Sequence, residues 1–404
     1  MEKIYIIQPI FNDNYKVLHE EAVALIESVG AEYCNTYYQN IREINPATFI
    51  GSGKLKEIAD DLALVDENVT VLFNGALSPS QTLNVSSALG DIKVIDRTTL
   101  ILDIFARNAV SSEGKIQVEL AQLKYIYPRL KGKGAGLSRL GAGIGSRGPG
   151  ETKLETDRRH IRDRIKFLES RLKETETRRT HQVARRNKDG TKIIALVGYT
   201  NTGKSTLLNL LTGANVLSKN QLFATLDPTA RQFEIDGVPF LLVDTVGFLQ
   251  DLPHDIIESF KSTLENAINC DLALFVSDAS ADYEMQFETT ISTLKSLNFD
   301  KPYLKVLNKC DLLSNDENCP SDCILISAKT QFGIEELKRQ IMVSFAERLI
   351  NCTLIVPYSQ IANFNAISHL IYEIERNYAD DGLEIKCTID VEHVNKFNNY
   401  IKRG

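Results

Sequence analysis

The sequence has no hydrophobic run that could cross a membrane as a helix, which takes about 20 apolar residues. Its amino terminus, MEKIYIIQPIFNDNY, has too short an apolar run for a signal peptide and no small-residue cleavage site. We expect this segment to form a first strand. We therefore expect a cytoplasmic protein without stable membrane association, and a weak peripheral membrane fraction is the alternative.

Cysteine is too scarce and too scattered for a disulfide framework. The chain has seven cysteines, an odd number, which favours a reducing cytosol. Cys319 and Cys323 lie four residues apart, but no histidine or further cysteine pair is close to them. Free thiols are therefore a better interpretation of this pair than a zinc site.

The length of 404 residues exceeds that of one ordinary core, so we expect about two to four domains. Residues 1–98 alternate short apolar strands with helical stretches, which predicts a small parallel α/β domain. The predicted strands are KIYIIQPI, AEYCNTYY, TVLFNG and DIKVID, and the predicted helices are NYKVLHEEAVALIESVG and SGKLKEIADDLALV.

Residues 99–186 have a helical pattern instead. Pro128 should end the first helix, and the glycine-rich stretch Arg139–Thr152 separates it from the second. We predict an antiparallel helical hairpin with a glycine-rich tip, followed by a linker at 184–191. Two sets of apolar residues share the spacing of one helix face: Ile116, Leu120, Leu123 and Tyr127, and Ile161, Ile165, Leu168 and Leu172.

Charge is unevenly distributed along the chain. Residues 121–186 hold 18 lysines and arginines against 7 acidic residues, a net charge of +11, whereas the rest of the chain carries −18. A basic segment in an acidic protein fits either a local contact with a polyanion or a solvated helix face.

Residues 192–348 again alternate strand and helix. The predicted strands are KIIALVGYT, PFLLVDTVGF, LALFVSDA, YLKVLNKCD and CILISAK. Residues 349–404 form a small α/β tail with the strands TLIVPY and LEIKCTID, a helix near Asn363–Glu375 and a last short helix. The chain as a whole is thus predicted to be an α/β multidomain protein.

The octapeptide GYTNTGKS at Gly198–Ser205 follows the apolar strand IIALV and precedes the helical TLLNLLTG. This is a phosphate-binding P-loop in its proper context, where glycines let backbone N–H groups approach the anion. Lys204 should reach the β- and γ-phosphates, and the Ser205 hydroxyl should bind Mg²⁺. A second candidate, GSGK at Gly51–Lys54, lacks the spacing and has Leu55 where a hydroxyl is needed, so a turn into a helix is favoured there.

Two later motifs indicate that the base is guanine. The Asp311 carboxylate of NKCD can accept the N1–H and 2-amino donors of guanine, which adenine lacks, so the pairing discriminates by roughly 10⁴-fold. Asn308 should tie loops together, and the Lys309 stem should lie over the base. In SAK, the Ala328 N–H should contact guanine O6.

Two segments should sense the γ-phosphate. In DTVGF, Asp244 would hold Mg²⁺ through water and the Gly247 N–H would meet the γ-phosphate. LFATLDPT at 222–229 is a threonine-bearing segment that would close over Mg²⁺. We choose Thr225 over Thr229 as its ligand.

These elements resemble the GTPase class of P-loop proteins, with a GTPase domain at 192–348 and a small domain at 349–404. FATLDPTAR, DTVGF and GAGIGSRGPGETKLETDRR together resemble the HflX family over nearly the whole chain. The resemblance implies a GTPase that acts on the large ribosomal subunit and its rRNA, in splitting or rescuing stalled ribosomes, with the hairpin tip approaching the rRNA. We expect Mg²⁺ as the cofactor and a monomeric protein.

The expected site residues follow from these motifs. The metal ligands are Ser205 and Thr225, and the expected RNA contacts are Arg139, Arg147, Arg158 and Arg159. The GTP-binding set is Gly198, Tyr199, Thr200, Asn201, Thr202, Gly203, Lys204, Ser205, Thr206, Phe223, Ala224, Thr225, Leu226, Asp227, Asp244, Thr245, Val246, Gly247, Asn308, Lys309, Cys310, Asp311, Ser327, Ala328 and Lys329.

Hydrolysis should be slow without a partner. Many GTPases place a water-orienting glutamine after D-x-x-G, but Phe248 stands here and cannot orient water by hydrogen bonding. Lys204 should stabilise charge in the transition state, whereas no residue is assigned as base. The alternatives are a nucleotide-driven RNA remodeller or ATPase, and a GTP-binding scaffold with little turnover.

Overall fold

A computed structural model of the chain describes residues 2–12, 14–65, 69–131, 149–188, 192–213, 223, 229–250, 264, 267–313, 320–379 and 382–402, with the side chains of 131, 149–155 and 176–188 left out. The chain divides into two compact units. The first comprises 1–177, 219–227 and 249–263, and the second comprises 178–218, 228–248 and 264–404. Over the described residues, no helix combines the length and apolarity that a membrane span requires.

The first unit contains a parallel four-stranded sheet, as the alternating pattern predicts. The sheet order is β2-β1-β3-β4, and the apolar strands are covered by helices, as is usual for parallel sheets. Its elements are β1 (Lys3–Ile10), α1 (Tyr15–Ser28), β2 (Glu32–Asn40), α2 (Ser52–Leu62), β3 (Val69–Phe73), α3 (Pro79–Ala88), β4 (Lys93–Asp96) and α4 (Arg97–Asn108).

Local signals explain where these helices begin. The predicted turn at GSGK is confirmed, because Gly51 is the extended residue that precedes α2. Helix α3 was not predicted, although its start is well marked: the Ser78 side chain and Gln81 form a reciprocal capping box, and Pro79 occupies the first turn.

The helical segment comprises α5 (Ser112–Ile126), a 3₁₀ turn (Tyr127–Lys131) and α6 (Pro149–Lys188). Helix α5 ends just before Pro128, as predicted. Leu120 and Leu168 of the two predicted apolar faces are buried. The linker predicted at 184–191 is wrong over 184–188, where α6 continues, because ARRNK contains no helix breaker.

Two ion pairs join α5 to α6. Arg164 donates from Nε and Nη2 to the two carboxylate oxygens of Glu119 at 2.7 and 2.8 Å, and Lys124 Nζ lies 2.9 Å from Glu169 Oε1. Both pairs are half exposed, so they specify which faces meet more than they stabilise the fold. Of the predicted glycine-rich stretch Arg139–Thr152, residues 139–148 lie outside the described residues, whereas 149–152 begin α6.

The second unit contains a six-stranded sheet in the order β10-β9-β8-β5-β7-β6. All neighbours are parallel except β6, which pairs antiparallel with β7. Strand β6 was not predicted. The elements are β5 (Lys192–Gly198), α7 (Lys204–Thr212), β6 (Thr229–Ile235), β7 (Val238–Asp244), β8 (Leu272–Asp278), α8 (Tyr283–Ser296), β9 (Tyr303–Asn308), β10 (Cys323–Leu325) and α9 (Ile334–Ser344).

The tail of the second unit is an antiparallel sheet in the order β11-β13-β12. It comprises β11 (Leu349–Pro357), α10 (Ile361–Ile367), β12 (Ile371–Ala379), β13 (Gly382–Asp390) and a 3₁₀ helix (Val391–Phe397). The helix predicted near Asn363–Glu375 is wrong beyond Ile367. Residues 371–375 instead belong to β12, because Ile371 is buried and pairs with Ile389 of β13.

No thiol pair supports a disulfide framework among the described cysteines. None of them forms a disulfide bond: Cys34, Cys270, Cys310, Cys323, Cys352 and Cys387. Cys319, the other half of the weak zinc candidate, lies outside the described residues.

A buried ion pair ties the tail sheet to the first residue of β5. Lys192 Nζ donates to Asp390 Oδ2, and the two side chains are only 10% and 11% exposed. Burial raises the pKa of Asp390, but hydrogen bonds from Lys192 and from the Glu392 N–H outweigh it and hold the pKa below its ordinary value. The carboxylate is therefore charged at neutral pH and compensates Lys192.

We predict that Asp390→Asn lowers the free energy of unfolding at pH 7 by about 3 kcal/mol, because it leaves Lys192 buried without its counter-charge. A carboxylate with a depressed folded pKa stabilises the fold above its unfolded pKa of about 4, and loses this contribution as the pH falls through the folded value. The deficit of the variant should therefore shrink below about pH 4. Calorimetric unfolding across pH measures both effects.

The control is Glu384→Gln, which breaks the exposed pair between Glu384 and Lys402. This change should cost about 0–1 kcal/mol, since solvent screens the pair. Equal destabilisation by the two variants would contradict the importance assigned to the buried pair.

Candidate nucleotide site

The phosphate loop follows β5 and leads into α7, and two of its glycines lie where no side chain fits. A Cβ on Gly198 would lie 2.1 Å from the Val276 carbonyl oxygen of β8, and one on Gly203 would lie 2.3 Å from Asn308 Nδ2. Gly203 also has a left-handed backbone, φ 88°. The loop thus runs tightly against β8 and β9, and its helix N-terminus is placed as an anion site requires.

Asn308, at the end of β9, joins three loops. Its Nδ2 donates to the Thr202 carbonyl oxygen at 2.8 Å, and its Oδ1 accepts from the Ala328 N–H at 2.9 Å. The side chain is buried. One amide therefore fixes the phosphate loop relative to both segments that carry the base-recognition motifs.

The Lys204 ammonium is folded back on its own loop. Nζ donates to the carbonyl oxygens of Gly198 at 3.1 Å and Tyr199 at 2.5 Å. Burial lowers the pKa of Lys204 to about 8, against the opposing attraction of Asp244. The carbonyl oxygens are neutral and do not cancel the buried positive charge, so a phosphate oxygen that approaches the ammonium is strongly attracted.

Oxygen donors suited to Mg²⁺ lie next to this ammonium. Ser205 Oγ donates to Asp244 Oδ2 at 2.6 Å, and the Asp244 carboxylate is buried at the end of β7. Hydroxyl and carboxylate oxygens are the ligands that Mg²⁺ prefers, so the residues present fit the metal. Thr225, the second expected ligand, lies outside the described residues. Thr229 begins β6 and pairs in register with Asp244.

The segment after β7 lies against the phosphate loop. The Phe248 N–H donates to the Gly198 carbonyl oxygen at 3.1 Å, and the Thr200 N–H donates to the Phe248 carbonyl oxygen at 2.8 Å. A Cβ on Gly247 would lie 2.8 Å from Thr200 Cγ2 and 3.1 Å from Lys204 Nζ. Glycine is thus required at the position expected to meet the γ-phosphate, whereas the Phe248 ring is buried.

The base-recognition loops are held together by hydrogen bonds. Ser327 Oγ donates to Asp311 Oδ1 at 2.6 Å, and this bond is the main reason that the pKa of Asp311 lies below its ordinary value. The carboxylate is thereby kept as an acceptor. The Ala328 N–H donates to Asn308, so it can contact guanine O6 only if the two acceptors share it.

Sequence reasoning missed an acidic partner of the NKCD lysine. Lys309 Nζ lies 2.6 Å from Asp278 Oδ2 at the end of β8. The carboxyl ends of parallel strands meet at one edge of a sheet. The sequence shows that an aspartate ends β8. The order of the strands in the sheet was needed to recognise that this aspartate lies next to Lys309.

Two residues of the threonine-bearing segment 222–229 are described, Phe223 and Thr229. The Phe223 ring packs edge-on against Phe105 of α4, with centroids 4.5 Å apart, and Asn108 Nδ2 donates to the Phe223 carbonyl oxygen at 2.8 Å. Phe223 belongs to the first unit. The neighbouring expected site residues Ala224, Thr225, Leu226 and Asp227 lie outside the described residues.

Of the expected RNA contacts, Arg158 and Arg159 are described on α6, whereas Arg139 and Arg147 are not. The Arg158 guanidinium lies 5.3 Å from the centroid of the Tyr127 ring. Arg162, which was not predicted, donates from Nε and Nη2 to the Tyr127 hydroxyl at 3.1 and 2.8 Å and thereby lowers the pKa of Tyr127. Two arginines thus lie close to one tyrosine, with Arg162 exposed and Arg158 half-buried.

Three family models cover most of the chain. One described as a GTP-binding GTPase N-terminal region matches residues 17–106, and one described as a GTP-binding GTPase middle region matches 108–186. One described as a 50S ribosome-binding GTPase matches 193–309. Their order follows the order of the folded segments.

Curated relatives match nearly the full length. The GTPase HflX of Caldanaerobacter subterraneus subsp. tengcongensis is 44% identical over 94% of this chain and 89% of its own. That of Lacrimispora saccharolytica is 42% identical over 92% and 89%. Among solved structures, a GTP-binding protein from the archaeon Sulfolobus solfataricus in complex with GDP is 26% identical over 86% of this chain and 99% of its own, with a TM-score of 0.45. The chain belongs to the HflX family of GTPases and hydrolyses GTP.

Proposed function

We propose that the GTP-bound protein engages the large ribosomal subunit through the helical segment α5–α6 and its glycine-rich tip. Contact with the subunit would accelerate a slow intrinsic hydrolysis, and the cycle would serve to split or rescue stalled ribosomes in the cytoplasm. The observation that carries this proposal is the net charge of +11 over 121–186 in an otherwise acidic chain, since phosphate contacts dominate binding to nucleic acids.

The comparisons support the same partner. The family model matching the GTPase domain is described as that of a 50S ribosome-binding GTPase. The described part of α6 supports it through Arg158 and Arg162, which are gathered over Tyr127. Planar guanidinium groups held in place lose less freedom when they bind phosphate, and they recognise it by paired hydrogen bonds.

In the nucleotide site, we assign the phosphates to the backbone of the P-loop and to Lys204. Ser205 and Asp244 would hold Mg²⁺, which when bound neutralises charge that develops on the phosphate oxygens. Lys204 would leave the carbonyl oxygens of Gly198 and Tyr199 for the anion, and the Gly247 N–H would face the γ-phosphate. Guanine would be recognised by Asp311, with the Lys309 stem over its plane.

Phe223 supports coupling between the nucleotide and the first unit. It belongs to the segment expected to close over Mg²⁺, and its ring and carbonyl oxygen are held by α4. Closure that moved Phe223 would act on α4, which packs against α5. Coupling of this kind needs two arrangements of one element that the nucleotide favours differently.

We predict that purified large ribosomal subunits raise the rate of GTP hydrolysis at fixed salt, and that Lys204→Ala abolishes hydrolysis with or without them. A group-supplying partner can accelerate GTPases by about 10³–10⁵-fold, so stimulation above tenfold is readily measured by phosphate release. Stimulation by small subunits or by free rRNA at equal mass is the control.

If large subunits neither bind the protein nor change its rate of GTP hydrolysis, the ribosome proposal is contradicted. The assignment of the guanine site is unaffected by that outcome. Binding without stimulation would instead indicate a GTP-binding scaffold with little turnover.

We predict that Arg158→Gln weakens binding to the large subunit and reduces the slope of log K against log salt by about 1, the share of one phosphate contact. Arg339→Gln is the matched control, because Arg339 is an exposed arginine of α9 paired with Glu336. Deletion of Gly141–Gly150 should also weaken binding. Equal salt slopes for the unmodified protein and the three variants would contradict RNA contact by this segment.

We predict that Asp311→Asn lowers affinity for GDP by about 10²-fold, since hydrogen bonds to a charged group contribute about 1.5–3 kcal/mol each. The Asn amide presents a donor where the carboxylate accepted, so xanthosine diphosphate, with an oxygen in place of the 2-amino group, should bind the variant better than GDP. Competition against a fluorescent nucleotide measures both. An unchanged preference for GDP would show that the base lies elsewhere.

A further inference from the structure

An acidic side chain, that of Asp278, stands beside the base-recognition loop. Asp278 ends β8, next to the end of β9, and its Oδ2 lies 2.6 Å from Lys309 Nζ. The two side chains are 13% and 27% exposed. The pair therefore lies at the rim of the site, shielded enough from solvent for its geometry to be retained.

Hydrogen bonds hold both the carboxylate and the backbone of Asp278 in place. Its Oδ1 accepts from the Ser280 N–H at 3.0 Å and from the Ser280 hydroxyl at 2.7 Å. The Asp278 N–H donates at 2.9 Å to Oε1 of Gln286, a buried residue in the first turn of α8. Asp278 thus presents Oδ2 to the lysine from a position that the sheet and α8 determine.

Lys309, by contrast, has an uncommon backbone conformation. Lys309 has a left-handed φ of 64°, a conformation that side-chain-bearing residues adopt infrequently. Its four-carbon stem has many rotamers in solution, and ordering them opposes binding. The ion pair restricts Lys309 to the rotamers that bring Nζ to the Asp278 carboxylate, before any nucleotide binds.

We propose that Asp278 is a positioning residue of the guanine site, which holds the Lys309 stem extended as the surface on which the base lies. This inference rests on the proposed role of Lys309–Asp311 in base binding. Asp278 does not touch the nucleotide and takes no part in the chemistry. It acts by preorganising Lys309. Its removal therefore leaves the rate of the hydrolysis step unchanged and speeds dissociation of the nucleotide.

The test measures dissociation of a fluorescent GDP from the full-length protein in a double-mutant cycle. Asp278→Asn keeps the shape of the side chain and removes its charge, and it should speed dissociation about 5–30-fold, the factor that 1–2 kcal/mol represents. Lys309→Met keeps an apolar stem without the ammonium and should match Asp278→Asn. The loss should fall on KM for GTP rather than on kcat, as for uniform binding.

The cycle is completed by Lys309→Ala, alone and with Asp278→Asn. If Asp278 acts through the stem, Asp278→Asn adds nothing to Lys309→Ala. Ser280→Ala is the control, because it removes one hydrogen bond to Oδ1 and leaves the ion pair. It should change dissociation far less than Asp278→Asn does. Thermal unfolding of every variant is measured alongside.

The outcomes separate this inference from the function on which it rests. Dissociation unaffected by Lys309→Ala would show that the proposed base site is wrong. A strong effect of Lys309→Ala with none of Asp278→Asn or Lys309→Met would overturn the positioning role alone. Equal effects of Asp278→Asn in the presence and absence of the lysine stem would also overturn it, by showing that Asp278 supports the fold and not the lysine.

Discussion

The nucleotide site depends on one side-chain amide, that of Asn308. It binds the Thr202 carbonyl oxygen with its donor and the Ala328 N–H with its acceptor. It leaves no room for a side chain at Gly203. Phosphate loop and base loops are thereby held at a fixed separation. The ribose limits how far the base of a nucleotide can lie from its phosphates, so loops already held at one separation can bind both ends without first being assembled.

Sequence reasoning placed the phosphate loop correctly between a strand and a helix, because its glycines meet a requirement that is local in the chain. It missed features that arise between strands. Strand β6 escaped notice, although its turn Asp236–Gly237, with φ of 50° and 78°, is a hairpin signal. Residues 371–375 looked helical by composition, and only the partner strand β13 decided otherwise. Asp278 likewise acquires its role from the neighbouring strand and not from its own surroundings in the sequence.

The first unit shows how a parallel sheet can use its ligand-binding edge for structure. Ligands of such sheets bind outside the carboxyl ends of the strands. Here a polar network occupies that edge: Arg97 donates to Asn74 Oδ1 at 3.1 Å and pairs with Glu21, and Asn74 donates to Gln8 at 2.5 Å. These side chains hydrogen-bond to one another along the carboxyl edge of the sheet. This edge fixes α1 and α4 to the sheet, and α4 in turn holds Phe223.

The two ends of β5 serve different purposes. Gly198 at its carboxyl end begins the phosphate loop, whereas Lys192 at its amino end pairs with Asp390 of the tail sheet. Strand β5 is buried throughout and lies between β7 and β8, so it cannot shift lengthwise without breaking both ladders. Strand β5 is therefore a fixed part of the sheet from which the phosphate loop begins at the carboxyl edge. The buried ion pair at the opposite edge attaches the tail sheet to the same strand.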